Sequence, residues 1–209
     1  MTRDEINACP IKRNELPVHV IRNREQLDGA VSVLGREKIL GFDTETRPAF
    51  TKGQFFPPAL IQLAGHRAIY VFQLRHVKFP ATLRALLAAP TIIKAGVALE
   101  QDIISLLELG PFKQAGFVDL GIVAKKAGIK NHGLRGMAAA LLGYRISKRA
   151  QRSNWSRESL TPAQVNYAAT DAWVSRELYL KFKKSGYQEL ADPLSLPPRK
   201  QPARRGKRR

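Results

Sequence analysis

Asp43 and Glu45 stand two residues apart at the end of the apolar segment ILGFDTET. Side chains alternate faces along a strand, so a strand here points both carboxylates the same way. Two acids side by side at the end of a buried strand repel each other and lose water, a state that calls for a cation between them. Asp102, in ALEQDIISLL, falls just beyond a later apolar strand and early in the next helix. Taken alone, it fits a charge that favours a helix N-terminus. Asp171, in NYAATDAW, falls inside a helix, where aspartate has no propensity advantage, and Tyr167 precedes it by one turn on the same face. That pair alone fits a local hydrogen bond. Cys and His clusters with ligand spacing are absent, and carboxylate oxygens suit Mg2+ or Mn2+ rather than zinc. Two such ions ~4 Å apart can activate a bound water and stabilise negative charge on a nearby oxygen.

The elements that must position these acids are legible in the hydrophobic pattern. VHVI (18–21), ILGFDT (39–44), PALIQLAG (58–65), AIYVF (68–72), TIIKAGV (91–97) and GFVDL (116–120) read as strands. Only a tight connection around Gly65, His66 and Arg67 joins the third and fourth, so they pair antiparallel. Helices are expected from Asn23, over 80–88, 99–109, 119–127 capped by Asp119, 133–142, and from Pro162 to about Lys184. Asn23 with Gln26, and Thr161 with Gln164, have capping-box spacing, and Pro162 takes the favoured first helical position. Helices between strands imply parallel crossovers, so the reading is an α/β chain with a mixed sheet covered on both faces.

Charge narrows the partner. Lys and Arg number 35 against 17 acids, a formal charge of +18. The segment from Arg199 to Arg209 carries seven bases and no acid; 28 bases against 17 acids elsewhere still leave the body at +11. Such a surface favours a polyanion, most simply nucleic acid. GYRISKRAQRSNWSR (143–157) carries Arg145, Lys148, Arg149, Arg152 and Arg157 without an acid, with Tyr144 and Trp155 interleaved. Bases for phosphates and aromatic faces for nucleobases suit a single-strand channel, although a core role for Trp155 and a solvated face for the arginines fit the same letters. Phe55 and Phe56, in the loop after the acids, suit either a wedge against a terminal base or a cap on the core. A single cysteine, Cys9, permits no internal disulfide, and the charged N-terminus has no apolar run for export. A cytoplasmic setting is expected, with no membrane partner and a monomer favoured.

The order D-x-E, then Asp after a later strand, then Y-x-x-x-D in a C-terminal helix resembles the DEDDy 3′–5′ exonucleases, the group of RNase D, Werner-type exonucleases and polymerase proofreading domains. GFDTETRPAFTKG followed by PALIQLA is similar to that family's first motif and second strand, KAGVALEQDIISL to its second motif, and SNWSRESLTPAQVNYAATDAW to its third. The resemblance covers roughly residues 18–185. It implies a ribonuclease H-like, DnaQ-like exonuclease fold with a five- to six-stranded mixed sheet. An N-terminal arm (1–17) then precedes an exonuclease domain (18–190), and a basic, Pro-rich disordered tail (191–209) follows. It further implies two divalent cations, Mg2+ or Mn2+. Asp43 would bridge both, Glu45 and Asp171 would complete the first site, and Asp102 would hold the second ion largely through water. Tyr167 would orient the attacking water. Thr44, Arg145, Lys148, Arg149, Arg152 and Trp155 are the expected contacts to single-stranded RNA or DNA at its 3′ end, and nucleoside 5′-monophosphates the expected products. A scaffold that binds nucleic acid without turnover is the rival reading, and loss of one of the four acids would have favoured it.

Overall fold

A computed structural model describes residues 1–51, 53–187 and 191–194. In chain order the elements are α1 (Arg3–Ala8), β1 (Val18–Ile21), α2 (Arg24–Leu34), β2 (Ile39–Thr46), β3 (Pro58–Ala64) and β4 (Ile69–Gln73). The single turn α3 (Leu74–Val77), α4 (Ala81–Ala88), β5 (Ile93–Gly96), α5 (Leu99–Leu109), β6 (Phe117–Asp119) and α6 (Leu120–Lys126) follow. Last come α7 (Leu134–Met137), which a π-helical turn continues over Ala138–Leu142, and α8 (Pro162–Lys184). The strands form one six-stranded sheet in the order β1-β4-β3-β2-β5-β6. β3 and β4 pair antiparallel as expected, and β2 pairs antiparallel with β3 to complete a meander, while β1 joins β4, and β5 and β6 extend from β2, all in parallel.

Strand alternation divides β2 between two layers. Leu40 and Phe42 point into a core shared with Leu27, Leu34, Leu83 and Ile103 from α2, α4 and α5. Gly41, Asp43 and Glu45 point to the other face, where α8 lies. Gly41 sets the depth of that contact: a Cβ there would stand 1.8 Å from the Ala172 carbonyl oxygen. Ala168, Ala169 and Ala172 are fully buried along the same helix, and their small side chains let α8 approach the strand backbone. A buried lysine steadies the neighbouring strand. Lys94 Nζ donates to the Ala89 and Ile92 carbonyls at 2.7 and 2.8 Å and sits over the Phe117 ring.

The expected caps form with one difference. Thr161 and Gln164 cap α8 reciprocally, but at α2 only half of the box exists. Asn23 Oδ1 accepts from Gln26 N, while the Gln26 side chain accepts from Arg22 N. The arm contains an element that its T-x-x-E spacing could have announced: α1, whose Thr2 and Glu5 make a full capping box. Of the segment expected as a tail, 195–209 lies outside the described residues. Within 191–194, Leu194 N donates to Phe117 O at 2.6 Å and Asp192 pairs with Lys126 at 2.8 Å. Among the described residues no helix is long and apolar enough to cross a membrane.

Two glycines give opposite expectations. Gly41→Ala forces α8 off β2 and lowers stability by about 3 kcal/mol or more. Gly29→Ala, mid-helix with nothing near its missing Cβ, raises stability by about 0.5–1 kcal/mol. Denaturant titration of both variants measures this. A Gly41→Ala protein as stable as the parent would mean that α8 does not rest on the strand.

Candidate active site

β2 presents Asp43 and Glu45, and α8 brings Asp171 over them, so that one carboxylate oxygen from each lies within 4.8 Å of the other two. Burial lifts the Asp43 pKa well above the ordinary carboxylate range, and the charges of Asp171, Glu45 and Asp102 lift it further. Burial, then the charges of Asp171 and Asp102, push Glu45 up to about 9. Burial raises Asp171 to about 7 against two opposing influences, a hydrogen bond from Tyr167 and the positive charge of Lys148. Asp171 Oδ1 is buried with no partner. With Asp43 and Glu45 half-buried and Asp171 buried, the three acids share a proton-retaining cleft with an unused Asp171 oxygen. A divalent cation that takes oxygen ligands fits that donor set. The same burial, with the Asp171 and Glu45 charges, drives the Tyr167 phenol far above its usual value, so its hydroxyl stays protonated.

Asp102 stands apart from this trio, on α5. Its pKa rises to about 6, chiefly by burial, with Thr44 lowering it and the Asp119 charge raising it. Thr44 points away from Asp43 and Glu45, and its hydroxyl donates to Asp102 Oδ1 at 2.6 Å. Thr44 is 9% exposed, its hydroxyl is engaged by Asp102, and it lines a small cleft with Asp43, Glu45, Tyr167 and Asp171. The start of α5 is itself fixed. Ala98 takes a left-handed conformation (φ 58°), unusual for a residue with a side chain, and Leu99 N donates to Asp119 Oδ2 at 3.0 Å. Asp119 Oδ1 meanwhile caps α6, so one buried carboxylate anchors two helix starts.

The expected nucleic-acid contacts divide. Lys148, exposed, lies close enough to Asp171 to lower its pKa, and Arg149 lines a cleft of about 450 Å3 together with Tyr167 and Asp171. Arg152 sits over the exposed Phe50 ring at 6.0 Å, a partner that the sequence reading did not single out. Arg145 is half-buried and its Nε donates to the Asn7 and Cys9 carbonyls, so it ties down the arm. Trp155 is 1% exposed and packs with Leu60, Val71, Leu160 and Ala168, leaving no face for a base: the core alternative holds. Its ring lies 5.8 Å from that of Tyr167, so it backs the tyrosine instead. Phe55 is 88% exposed and caps nothing, while Arg47 lies over the half-buried Phe56 ring.

Gln62 is the site neighbour that sequence reasoning missed. It is cross-strand to Asp43, fully buried, and neither amide atom has a partner. Its signal was available, as the one polar residue within the apolar run PALIQLA.

A family model described as 3′–5′ exonuclease matches residues 18–186. Exonuclease 3′-5′ domain-containing protein 2 of Drosophila melanogaster is 37% identical over 148 residues, which is 69% of this chain and 25% of that protein. The chain thus spans about a quarter of that relative's length. The Aedes aegypti Nibbler EXO domain superposes with a TM-score of 0.76 at 22% identity, over 87% of this chain and 95% of that one. Trypanosoma brucei RNase D, solved in complex with RNA U12, superposes with a TM-score of 0.71 at 18% identity, over 90% and 76%. The fold is the ribonuclease H-like, DnaQ-like one.

The electrostatics set a pH dependence. Folded-state pKa values above the unfolded ones mean that the folded chain holds protons the unfolded chain has lost. In chelator, stability therefore falls as pH rises above the ordinary carboxylate range, and it continues to fall up to about 9, where Glu45 ionises. Melting temperatures in chelator between about pH 5.5 and 8.5 should decline more steeply for the parent than for Asp43→Asn, and Mn2+ should remove the difference in slope. Equal slopes in chelator would show that these acids do not repel one another in the folded chain. Independently, Gln62→Met removes an unpaired buried amide and should stabilise the fold by about 1 kcal/mol. A lower melting temperature would mean that water satisfies that amide.

Proposed function

The chain belongs to the 3′–5′ exonuclease family, and from that membership we propose that it is a divalent-metal-dependent enzyme of the DEDDy type. It would shorten single-stranded or 3′-terminal nucleic acid from the 3′ end to nucleoside 5′-monophosphates. The observation that carries this reading is the convergence of Asp43, Glu45 and Asp171 within 4.8 Å, with Tyr167 beside them and an unused Asp171 oxygen.

Hydrolysis adds water across the last phosphodiester. A new P–O bond forms on the nucleotide that leaves, the bond to the 3′ oxygen breaks, and the shortened strand takes up a proton on its 3′-hydroxyl. Asp43, Glu45 and Asp171 would hold Mg2+ or Mn2+, with Asp102 contributing from α5 through water. When bound, the cations lower the pKa of the attacking water and neutralise charge on the leaving oxygen. The chain's own groups do the rest. Tyr167 keeps its proton, so it acts as a hydrogen-bonding group that orients the nucleophile rather than as the base that deprotonates it. Thr44 holds the Asp102 carboxylate in one orientation. Lys148, within electrostatic reach of Asp171, would meet a phosphate oxygen, and Arg149 and Arg152 would guide the strand. RNA is supported as one polymer by the trypanosomal RNase D solved with RNA U12. A reducing, cytoplasmic setting is part of the same proposal, and a chain with one cysteine is compatible with it.

The test uses 5′-labelled RNA and DNA oligonucleotides of one sequence, each with Mg2+, Mn2+ or chelator. A ladder shortening from the 3′ end, metal-dependent and lost in Asp43→Ala, is expected. Tyr167→Phe should lower kcat by about 100-fold with little change in KM. Binding with no ladder under any metal would sink the enzyme reading in favour of a scaffold, and full activity in Asp43→Ala would sink the site.

A further inference from the structure

The family match begins at residue 18, yet the residues before it reach the site. The arm is laced to the body by backbone pairing: Lys12 N donates to Arg145 O and Arg145 N to Pro10 O, each at 2.9 Å. Asn14 N then donates at 3.2 Å to the hydroxyl of Thr170, the residue immediately before Asp171. This course sets Lys12 and Arg13 on one wall of the 450 Å3 cleft whose other members include Arg149, Asn166, Tyr167 and Asp171. Asp171 is the only acid in that lining.

Lys12 is held without being neutralised. Its ammonium lies 5.4 and 5.5 Å from the centres of the Tyr144 and Trp173 rings, which stack on each other. Among the described residues, Lys12, Arg13 and Arg149 form no ion pair. Three cations without an ion pair, in a cleft whose lining also includes Tyr167 and Asp171, have the complement of a run of phosphates.

We propose that the N-terminal arm is part of the substrate site: Lys12 and Arg13, with Arg149, receive backbone phosphates of the strand whose 3′ end lies at Asp43, Glu45 and Asp171. This rests on the exonuclease reading above for the identity of the strand, but the binding it describes can be measured without turnover.

The experiment measures binding of a 5′-fluorescein single-stranded oligonucleotide by anisotropy, in chelator, across a salt series. The full chain is compared with Lys12→Glu/Arg13→Glu and with Arg36→Glu/Arg67→Glu. The second pair makes the same charge change at exposed positions by the opposite end of β2 and β3. The arm variant should raise Kd by about 10-fold or more and flatten the plot of log K against log salt by about 1.4, the value for two lost single-strand phosphate contacts. The control should shift Kd by no more than about 2-fold and leave the slope and the rate of shortening unchanged. Lys12→Gln/Arg13→Gln, with a parental melting temperature, should show the same loss in milder form. Equal losses in arm and control variants would reduce the effect to net charge and overturn the proposal. So would an arm variant that loses affinity for nucleoside 5′-monophosphate but not for the oligonucleotide, which would make the cleft a product site. If the parent protein binds as described but never shortens the strand, the function fails and the arm's binding role stands.

Discussion

Mutual repulsion among carboxylates in a partly buried cleft is the constraint around which this chain is organised. Asp43, Glu45 and Asp171 would separate if they were free to do so, and each is raised in pKa by burial before any neighbour acts. They stay together because the elements that carry them cannot move apart. β2 is hydrogen-bonded on both sides, to β3 and β5, and its other face is rooted in the core between α2, α4 and α5. α8 lies against the bare backbone of Gly41, with alanines where larger side chains would hold it off. Hydrophobic burial of a few hundred Å2, at ~25 cal/mol per Å2, is enough to offset several kcal/mol of repulsion. The fourth acid is governed differently. Asp102 is set by a hydroxyl from the far face of β2 and by a helix start that Asp119 fixes.

Much of this architecture was legible in the letters because it depends on local chemistry. Strand alternation places Asp43 and Glu45 on one face, a capping box and a first-turn proline mark the start of α8, and a tight turn dictates the antiparallel pairing of β3 with β4. Side chains whose fate depends on distant packing were not legible. Trp155 reads as a base-stacking face among arginines, but a tertiary cluster from β3, β4 and α8 encloses it. Arg145 reads as a phosphate contact, but carbonyls of a segment more than a hundred residues away engage it. Gln62 reads as one polar residue in a strand, and only the register beside Asp43 gives it meaning. The arm's helix carried a capping signal, yet its docking did not, because no periodicity announces a bridge between Ile11 and Arg145.

Cations on this surface are held by rings as much as by acids. Lys12 lies over Tyr144 and Trp173, Arg47 over Phe56 and Arg152 over Phe50. With 35 bases and 17 acids, carboxylates are too few to pair them, and several acids are committed to the buried site. A ring gives a cation a position for about 0.5–1 kcal/mol at an exposed site without cancelling its charge. A protein that must attract a polyanion, and still present an ordered surface to it, gains both from such contacts.

The seat of α8 on Gly41 has a consequence for biosynthesis. The helix that supplies Tyr167 and Asp171 leaves the ribosome after every strand on which it rests, so for most of translation the growing polypeptide carries Asp43 and Glu45 without their counterpart. The cluster of three carboxylates is therefore closed only once α8 has reached its seat on β2. The close approach at one glycine makes completion of that cluster a late event of synthesis.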